Sequence, residues 1–310
     1  MSVAVLIPTL RRPESLTRAI RSVQNQIGVE GLLSEIIVID NDPEATAKDL
    51  VADLAKSHSL PLRWCHAPVP GVATARNRGL AETTASLIAF LDDDEEASPR
   101  WLISLIETQA KLGADVVFGP IQGRVPDGTA HCDYLSDFFG RTGPQTSQEI
   151  DHAYGCGNSL MVREMALPGP APFRTSADAS GGEDDALFAA LEARGGRFGW
   201  AAEAWVDEFA PPHRATLTFA LSRAFAYGQG PSQTAAANRK WGQVLRWMLI
   251  GAAQAGVYGI GALGLILIRH PRRIQVLDRA VRGLGKLLWM PVFEFQFYGA
   301  QELRRLNKKA

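Results

Sequence analysis

Along the first 120 residues, short apolar runs alternate with stretches of helical spacing. Val3 to Ile7 is an unbroken apolar run ended by Pro8, and Ile36 to Ile39 is another, closed by Asp40-Asn41-Asp42-Pro43. Leu62 to Cys65, Ile88 to Leu91 and Ala114 to Phe118 repeat the pattern. Short apolar runs bounded by turn formers read as buried strands. Between them the period changes. Leu16, Ile20 and Val23 recur at helical spacing after Pro13, and Leu50 and Leu54 share one face of Ala45 to Lys56. Ala73 to Thr83 follows Gly71 as a helix, and Pro99 opens another. Strands alternating with such helices predict an α/β fold whose mostly parallel sheet is covered on both faces. Regularity fades after Gly119. Residues 120–155 are rich in Gly, Asp, Thr and Pro and read as loops and short strands. Ser159 to Arg163 reads as a strand, Glu183 to Arg194 as a helix introduced by Ser180-Gly181-Gly182, and Leu217 to Tyr227 as a further helix.

The C-terminal pattern is different. Trp247 to Ile268 contains 22 residues without a charge, and Gln254 is its only strongly polar side chain. That length can span a bilayer, and its glycines suit a membrane helix. The alternative is a buried hairpin of two short helices. Arg239, Lys240 and Arg246 precede the segment, and Arg269, Arg272 and Arg273 follow it. A single crossing does not place both basic flanks on one side, whereas a re-entrant hairpin or an in-plane segment does. Next, Leu277, Val281, Leu284 and Leu288 recur at helical spacing opposite Arg279, Arg282 and Lys286, with Trp289 at the end. A basic amphipathic helix of this kind suits the headgroup boundary, although a surface helix packed on the rest of the chain has the same pattern.

Charge sharpens this division. The 310-residue chain is 46% hydrophobic and 21% charged, enough to bury a large core. Its net charge of −1 hides an asymmetry: residues 1–238 carry −11 and residues 239–310 carry +10. A basic, apolar tail on an acidic body predicts a membrane surface as partner and no nucleic acid. The expected division is a catalytic domain over 1–235 and a helical, membrane-associating region over 236–310. Cys65, Cys132 and Cys156 form no metal or disulfide pattern and read as reduced thiols. Val3 to Ile7 is too short for the core of a signal peptide, so none is expected.

The candidate chemistry sits where strands end. Asp92-Asp93-Asp94 follows the run Ser86 to Leu91 directly. Ligands of open α/β sheets bind beyond the carboxyl ends of the strands, and Mg²⁺ or Mn²⁺ takes one or two carboxylates plus phosphate oxygens. The aspartates are therefore read as holding a divalent ion against a diphosphate. The first strand ends in Pro8-Thr9-Leu10-Arg11-Arg12, so neither the dinucleotide fingerprint nor the P-loop is present. Asp40 either accepts hydrogen bonds from a base or ribose or makes a turn. Arg76, in Ala75-Arg76-Asn77-Arg78-Gly79, has the planar fork that suits a phosphate or carboxylate. Gly181-Gly182-Glu183-Asp184-Asp185 lies at a helix start, where acids either complement the dipole or supply a general base. Gly155-Cys156-Gly157-Asn158 reads as a tight turn that lines an acceptor pocket or only reverses the chain. His213 is a candidate to reach the metal or phosphates from a late loop.

Together these segments resemble family 2 glycosyltransferases of the GT-A fold. The matching pieces are Ile7-Pro8-Thr9, Val38-Ile39-Asp40-Asn41, Gly71 with Ala75 to Gly79, Ile88 to Asp94 with Pro99 and Trp101-Leu102, Gly157-Asn158, and Gly182 to Asp185. They cover about residues 1–230, and their order and spacing look most like bacterial enzymes of exopolysaccharide or other surface glycans. The resemblance implies a nucleotide-diphosphate sugar donor, a saccharide or lipid-linked saccharide acceptor, Mn²⁺ or Mg²⁺, and inversion at the anomeric carbon. It implies a donor site of Pro8, Thr9, Arg11, Asp40, Asn41, Arg76, Asp92 and Asp93, with Asp93 facing the ribose. Asp94, Asp92 and His213 would serve the metal, and Gly157 and Asn158 the acceptor. Asp184 would be the general base, with Glu183 or Asp185 as substitutes. The implied place is the cytoplasmic face of a bacterial inner membrane, peripheral or re-entrant. Gln243-Val244-Leu245-Arg246-Trp247 satisfies the Q-x-x-R-W pattern of processive synthases. It lies some 60 residues past Asp184, at the mouth of the apolar segment and without the further spans of a channel, so single-sugar transfer is expected. The competing readings are a non-catalytic nucleotide-sugar-binding or membrane scaffold protein and a nucleotidyltransferase, the latter lacking its glycine-rich phosphate turn.

Overall fold

The structure is a computed structural model that describes residues 2–178, 181–295, 297, 303 and 305. Ser180, read above as introducing a helix, lies outside the described residues. Among the described residues, eleven strands are formed: β1 (Val3–Thr9), β2 (Leu33–Asp40), β3 (Leu62–His66), β4 (Leu87–Phe90), β5 (Glu95–Ala97), β6 (Val116–Phe118), β7 (Ile121–Arg124), β8 (Gln148–Ile150), β9 (Ser159–Val162), β10 (Phe198–Trp200) and β11 (Val206–Phe209). The helices are α1 (Pro13–Gln24), α2 (Lys48–Ala55), α3 (Val72–Ala81), α4 (Trp101–Leu112), α5 (Cys132–Phe139), α6 (Arg163–Ala166), α7 (Glu183–Glu192), α8 (Leu217–Ala237), α9 (Trp241–Leu267) and α10 (Arg273–Leu287).

Eight strands form one sheet in the order β3-β2-β1-β4-β9-β6-β10-β8. The pairs among β3, β2, β1 and β4 are parallel, and β9 runs antiparallel between β4 and β6. Alternation along each strand divides the core. Val3, Val5 and Ile7 join a cluster with Leu16 and Ile20 of α1, Val51 of α2 and Trp101 of α4. Ala4 and Leu6 join the opposite cluster, with Ala73 and Leu80 of α3 and Leu187 and Phe188 of α7. Both faces of the sheet are therefore covered, as its uninterrupted apolar runs require. The second sheet, β5-β11-β7, is small. The chain leaves the large sheet at Phe90 and enters the small one at Glu95, so Leu91 to Asp94 forms the corner between them.

The described chain divides into two compact units. The first contains both sheets, with residues up to Arg124 and Phe139–Phe209. The second contains Val125–Phe138 and the chain from Ala210 through α10. The expected boundary at residue 235 falls inside α8. Backbone contact ties α8 to α10: a Cβ on Gly228 would stand 2.2 Å from the Arg282 carbonyl oxygen, and one on Gly285 would stand 2.1 Å from that of Phe225. Gly251 of α9 and Gly283 of α10 also approach closely, with a Gly251 Cβ placed 2.6 Å from the Gly283 carbonyl oxygen.

Two C-terminal expectations are corrected. α9 is one continuous helix from Trp241 to Leu267, so neither a hairpin of short helices nor a re-entrant turn is formed. Gly251 serves the close packing on α10 and makes no break in the chain. The basic face of α10 is engaged within its own unit. Arg282 pairs with Asp278 at 2.7 Å, Arg279 lies over the Tyr258 ring, and Lys286 Nζ donates to Gln254 Oε1 at 3.0 Å. Gly, Asp, Thr and Pro obscured α5, whose Tyr134 donates to Asp278 Oδ2 at 2.9 Å.

Candidate active site

The corner after β4 directs its three carboxylates differently. Asp93 is buried: its Oδ2 accepts from Thr9 Oγ1 at 2.7 Å and its Oδ1 from Arg12 Nη1 at 2.8 Å. The same Arg12 nitrogen donates to Asp94 Oδ2 at 2.7 Å. Asp92 is the open member, with 41% of its side chain exposed and Oδ1 3.6 Å from Arg76 Nη2. Burial raises the Asp93 pKa to about 6 against the opposing Arg12 charge, with Asp94 adding to the rise. The recess raises the Asp92 pKa as well. Arg76 opposes that shift, while Asp94 and Asp184 increase it. The expectation that Asp93 faces a ribose meets a side chain whose two oxygens are already bonded within the protein.

A second acidic group converges on the first through one turn. Glu183, Asp184 and Asp185 form the first turn of α7 behind Gly182, which holds a left-handed φ of 85°. Asp184 Oδ2 accepts from the Cys156 N–H at 3.0 Å. The next residue, Gly157, packs on Asp92 so closely that a Cβ would lie 2.7 Å from Asp92 Oδ2. The turn 155–158 therefore joins the acid at the end of β4 to the acid at the start of α7. Glu183 is buried and paired with Arg76, which lies against the rings of Phe90 and Phe173. Burial lifts the Glu183 pKa to about 7 despite Arg76, and Asp184 adds to the rise. Asp185 is exposed. Burial pushes the Cys156 thiol well up.

Other anticipated residues build the site's walls. Asp40 is fully buried. Its Oδ2 accepts from the Ala47 N–H at 2.8 Å and Trp64 Nε1 at 3.2 Å, and its Oδ1 from the Asp42 N–H at 3.1 Å. Asn41 donates to the carbonyls of Ala67 and Val69 and accepts from the Gly71 N–H. Of the two readings of Asp40, the structure displays the turn. Pro8 is half-buried and pairs in register with Ile39. Arg11 grips Asp42 through two nitrogens at 2.8 and 2.9 Å and holds that carboxyl below its usual range, overcoming the upward push of burial. A cavity of about 240 Å³ opens beyond the ends of β1 and β2, lined by Thr9, Arg11, Arg12, Glu44, Thr46 and Ala47 among others. Asn158, in a left-handed conformation with φ 49°, accepts from Trp101 Nε1 and donates to the carbonyls of Pro120 and Ala204. Its side chain fixes the turn and is fully buried, so it does not line an open acceptor pocket. His213 belongs to the second unit.

Two supporting residues escaped the sequence reading. Arg141 donates to the carbonyls of Gly119, Gly155, Gly157 and Asn158 at 2.8–2.9 Å. It thereby clamps the turn that joins Asp92 and Asp184. Glu95 is buried, and its Oε2 accepts from the Asp92 N–H at 2.9 Å. Its proximity to the aspartate run was the available signal. For Arg141, within a stretch read as loop, there was none.

Among the described residues, no group of three or more His, Cys, Asp or Glu side chains is arranged to hold a metal by itself. The donor set is nevertheless all oxygen, with Asp94 and Asp184 each close enough to repel Asp92. That chemistry fits a hard divalent ion that takes one or two protein carboxylates and completes its shell with phosphate oxygens and water.

The family model described as Glycosyl transferase family 2 matches residues 4–166. The chain is 31% identical over 305 residues to the succinoglycan biosynthesis protein ExoM of Rhizobium meliloti, covering 98% of this chain and 97% of that protein. It is also 31% identical over 118 residues to the GalNAc(5)-diNAcBac-PP-undecaprenol beta-1,3-glucosyltransferase of Campylobacter jejuni, covering 38% and 37% of the two chains. Among solved structures, the mannosyltransferase PcManGT of Pyrobaculum calidifontis, in complex with GDP-Man and Mn²⁺, superposes with a TM-score of 0.62 at 16% identity. That match covers 93% of this chain and 87% of the other. S. aureus TarS in complex with UDP-GlcNAc gives 0.52 at 15% identity over 91% and 90%. These neighbours share the GT-A fold.

Proposed function

Since the chain belongs to glycosyl transferase family 2, we propose that it transfers one sugar, with inversion, from a nucleotide-diphosphate donor to a hydroxyl of a lipid-linked saccharide. The observation that carries this reading is the convergence of Asp92 and Asp184 on the Cys156-Gly157 turn. One acid then serves the donor side and the other the acceptor side. The donor occupies the ends of β1 and β4, with its nucleoside toward the cavity beside Thr9 and Arg11. Asp94 and Asp92 would hold Mn²⁺ or Mg²⁺, which when bound neutralises charge on the departing diphosphate.

Asp184 is the general base. It is half-exposed at the turn, whereas Glu183 is buried against Arg76 and Asp185 lies on the outer side of the helix start. The Cys156 N–H fixes one Asp184 oxygen, and the Asp185 N–H binds the other at 2.9 Å. The held carboxylate takes the acceptor proton as the hydroxyl oxygen attacks the anomeric carbon and the nucleoside diphosphate leaves from the opposite face. Arg76, clamped by Glu183, keeps positive charge beside Asp92. A lipid-linked acceptor is supported by the polyprenyl-linked substrate named for the Campylobacter relative and by the long apolar helix of the second unit. Such an enzyme works at the cytoplasmic face of a bacterial inner membrane.

The test is nucleoside diphosphate release from UDP- and GDP-sugars with Mn²⁺ or Mg²⁺ and membrane extract as acceptor. Asp184→Asn should lower transfer about 10²- to 10⁴-fold while donor affinity by calorimetry stays unchanged. Full transfer by Asp184→Asn would remove it as base, and intact transfer by Asp94→Ala would remove the metal assignment.

A further inference from the structure

We propose that α9 lies flat in the headgroup boundary of an anionic bilayer and does not cross it. The inference deepens the membrane-associated reading above and rests on it. It starts from a conflict within α9. Its 27 residues would extend about 40 Å, longer than the hydrocarbon core of a bilayer. Only 11% of its most apolar window is buried. By length and hydropathy alone it would span.

Its neighbours forbid that orientation. Gln254 is the midpoint of α9, and its amide bonds to two places on α10: Nε2 to the Arg279 carbonyl at 2.9 Å and Oε1 to Lys286 Nζ at 3.0 Å. Arg279 covers Tyr258 one turn further on, and the Asp278–Arg282 pair lies on the same helix. Gly251 and Gly283 fix this pairing backbone against backbone. A spanning α9 would drag these charges to the bilayer centre, where they are costly. With 15 residues, α10 is also too short to accompany it across.

The opposite side of α9 has no such burden. Leu249, Val257, Ile260, Leu263 and Leu267 are exposed by 64, 69, 75, 65 and 84%. Between Arg246 and Arg269 no charge interrupts that face. Arg239, Lys240 and Arg246 stand at one end, and Arg269, Arg272 and Arg273 at the other. Residues 209–277 contain no acidic side chain. An apolar stripe with cations at both ends and no anion complements a negatively charged lipid surface, the arrangement of an interfacial helix.

The full-length protein is tested in two ways. In flotation with phosphatidylcholine vesicles, adding phosphatidylglycerol should increase the bound fraction. The double variant Val257→Glu/Ile260→Glu should bind at least about tenfold less, corresponding to about 1.4 kcal/mol. Its sugar-nucleotide hydrolysis in detergent should be unchanged. Gly242→Cys and His270→Cys, each in a Cys132→Ser background, then report topology through a membrane-impermeant maleimide. Both should react in inside-out membrane vesicles and neither in spheroplasts. Reaction of one flank from each side means that α9 spans and overturns the proposal while leaving membrane association intact. Failure to bind vesicles, or self-association through the same face without lipid binding, overturns it too. Loss of hydrolysis in the unaltered protein would instead count against the catalytic reading.

Discussion

Replacing Gly157 with alanine isolates the contact that holds the two acids together. Gly157 is not in the left-handed region, so its backbone accepts alanine without conformational strain. The obstacle is space. The new Cβ would meet Asp92 Oδ2 at 2.7 Å, and both Asp92 Cγ and Glu95 Oε1 at 3.1 Å. Ordinary contact begins near 3.4 Å, so the Asp92 carboxylate must retreat by about 0.7 Å. It can do so because the side chain is half-exposed and only 3.6 Å from Arg76 on its other oxygen. The overpacking should cost about 1–2 kcal/mol of stability. A displacement of this size at a reacting group should lower kcat about 10- to 100-fold. Steady-state nucleoside diphosphate release gives kcat and donor KM, and a thermal melt gives the stability change. The mechanism requires Gly157→Ala to act through Asp92. Its effect on kcat should therefore largely disappear in an Asp92→Asn background. Undiminished kcat in Gly157→Ala, or full additivity with Asp92→Asn, would refute the reasoning.

Arg141→Met should destabilise the first unit by about 3 kcal/mol or more in urea unfolding, because four carbonyls lose the guanidinium and only that of Asn158 keeps a second donor, the Gly119 N–H, and Arg141→Lys should recover part of that loss. Asp40→Ala should lower the melting temperature while changing donor KM less than about threefold, since its buried carboxylate accepts from the Asp42 and Ala47 N–H groups and from Trp64 Nε1; a large KM rise without a melting shift would mean that it contacts donor. The native Glu183 carboxyl, at about 7 against an ordinary 4.5, keeps a proton that the unfolded chain releases. Its contribution to stability is therefore fully present below 4.5 and lost as pH rises to about 7, on the order of a few kcal/mol. Wild type and Glu183→Gln, which mimics the protonated acid, should melt most alike near pH 4.5, and wild type should fall progressively below the variant as pH rises to about 7; a pH-independent difference would overturn the assignment.

What the sequence disclosed follows from the range of the interactions involved. Ile88 to Leu91 and the neighbouring apolar runs declared a covered sheet because strand burial is a local, periodic pattern. Asp92 and Asp184 were legible because acids at a strand end and a helix start are local signals too. Their unequal environments were not. Which carboxylate lies open depends on Thr9 and Arg12, more than 80 residues away in the chain. Arg141 was invisible for the same reason, since carbonyl acceptors leave no mark on residue identity. In the second unit, the apolar length of α9 was evident, but the engagement of Arg279, Arg282 and Lys286 arises only when α10 packs beside it.

The placement of β9 between β4 and β6 has a consequence during synthesis. β4 is wholly apolar and pairs on one side with β1, but its other edge stays open until Ser159–Val162 has been made, about 70 residues later. At about 5–20 residues per second, that edge waits roughly 4–14 seconds on the ribosome. An unpaired apolar edge is a template for wrong pairing. Slowed translation between Phe90 and Ser159 would lengthen this vulnerable interval, and a chaperone that covers the β4 edge would protect the nascent chain.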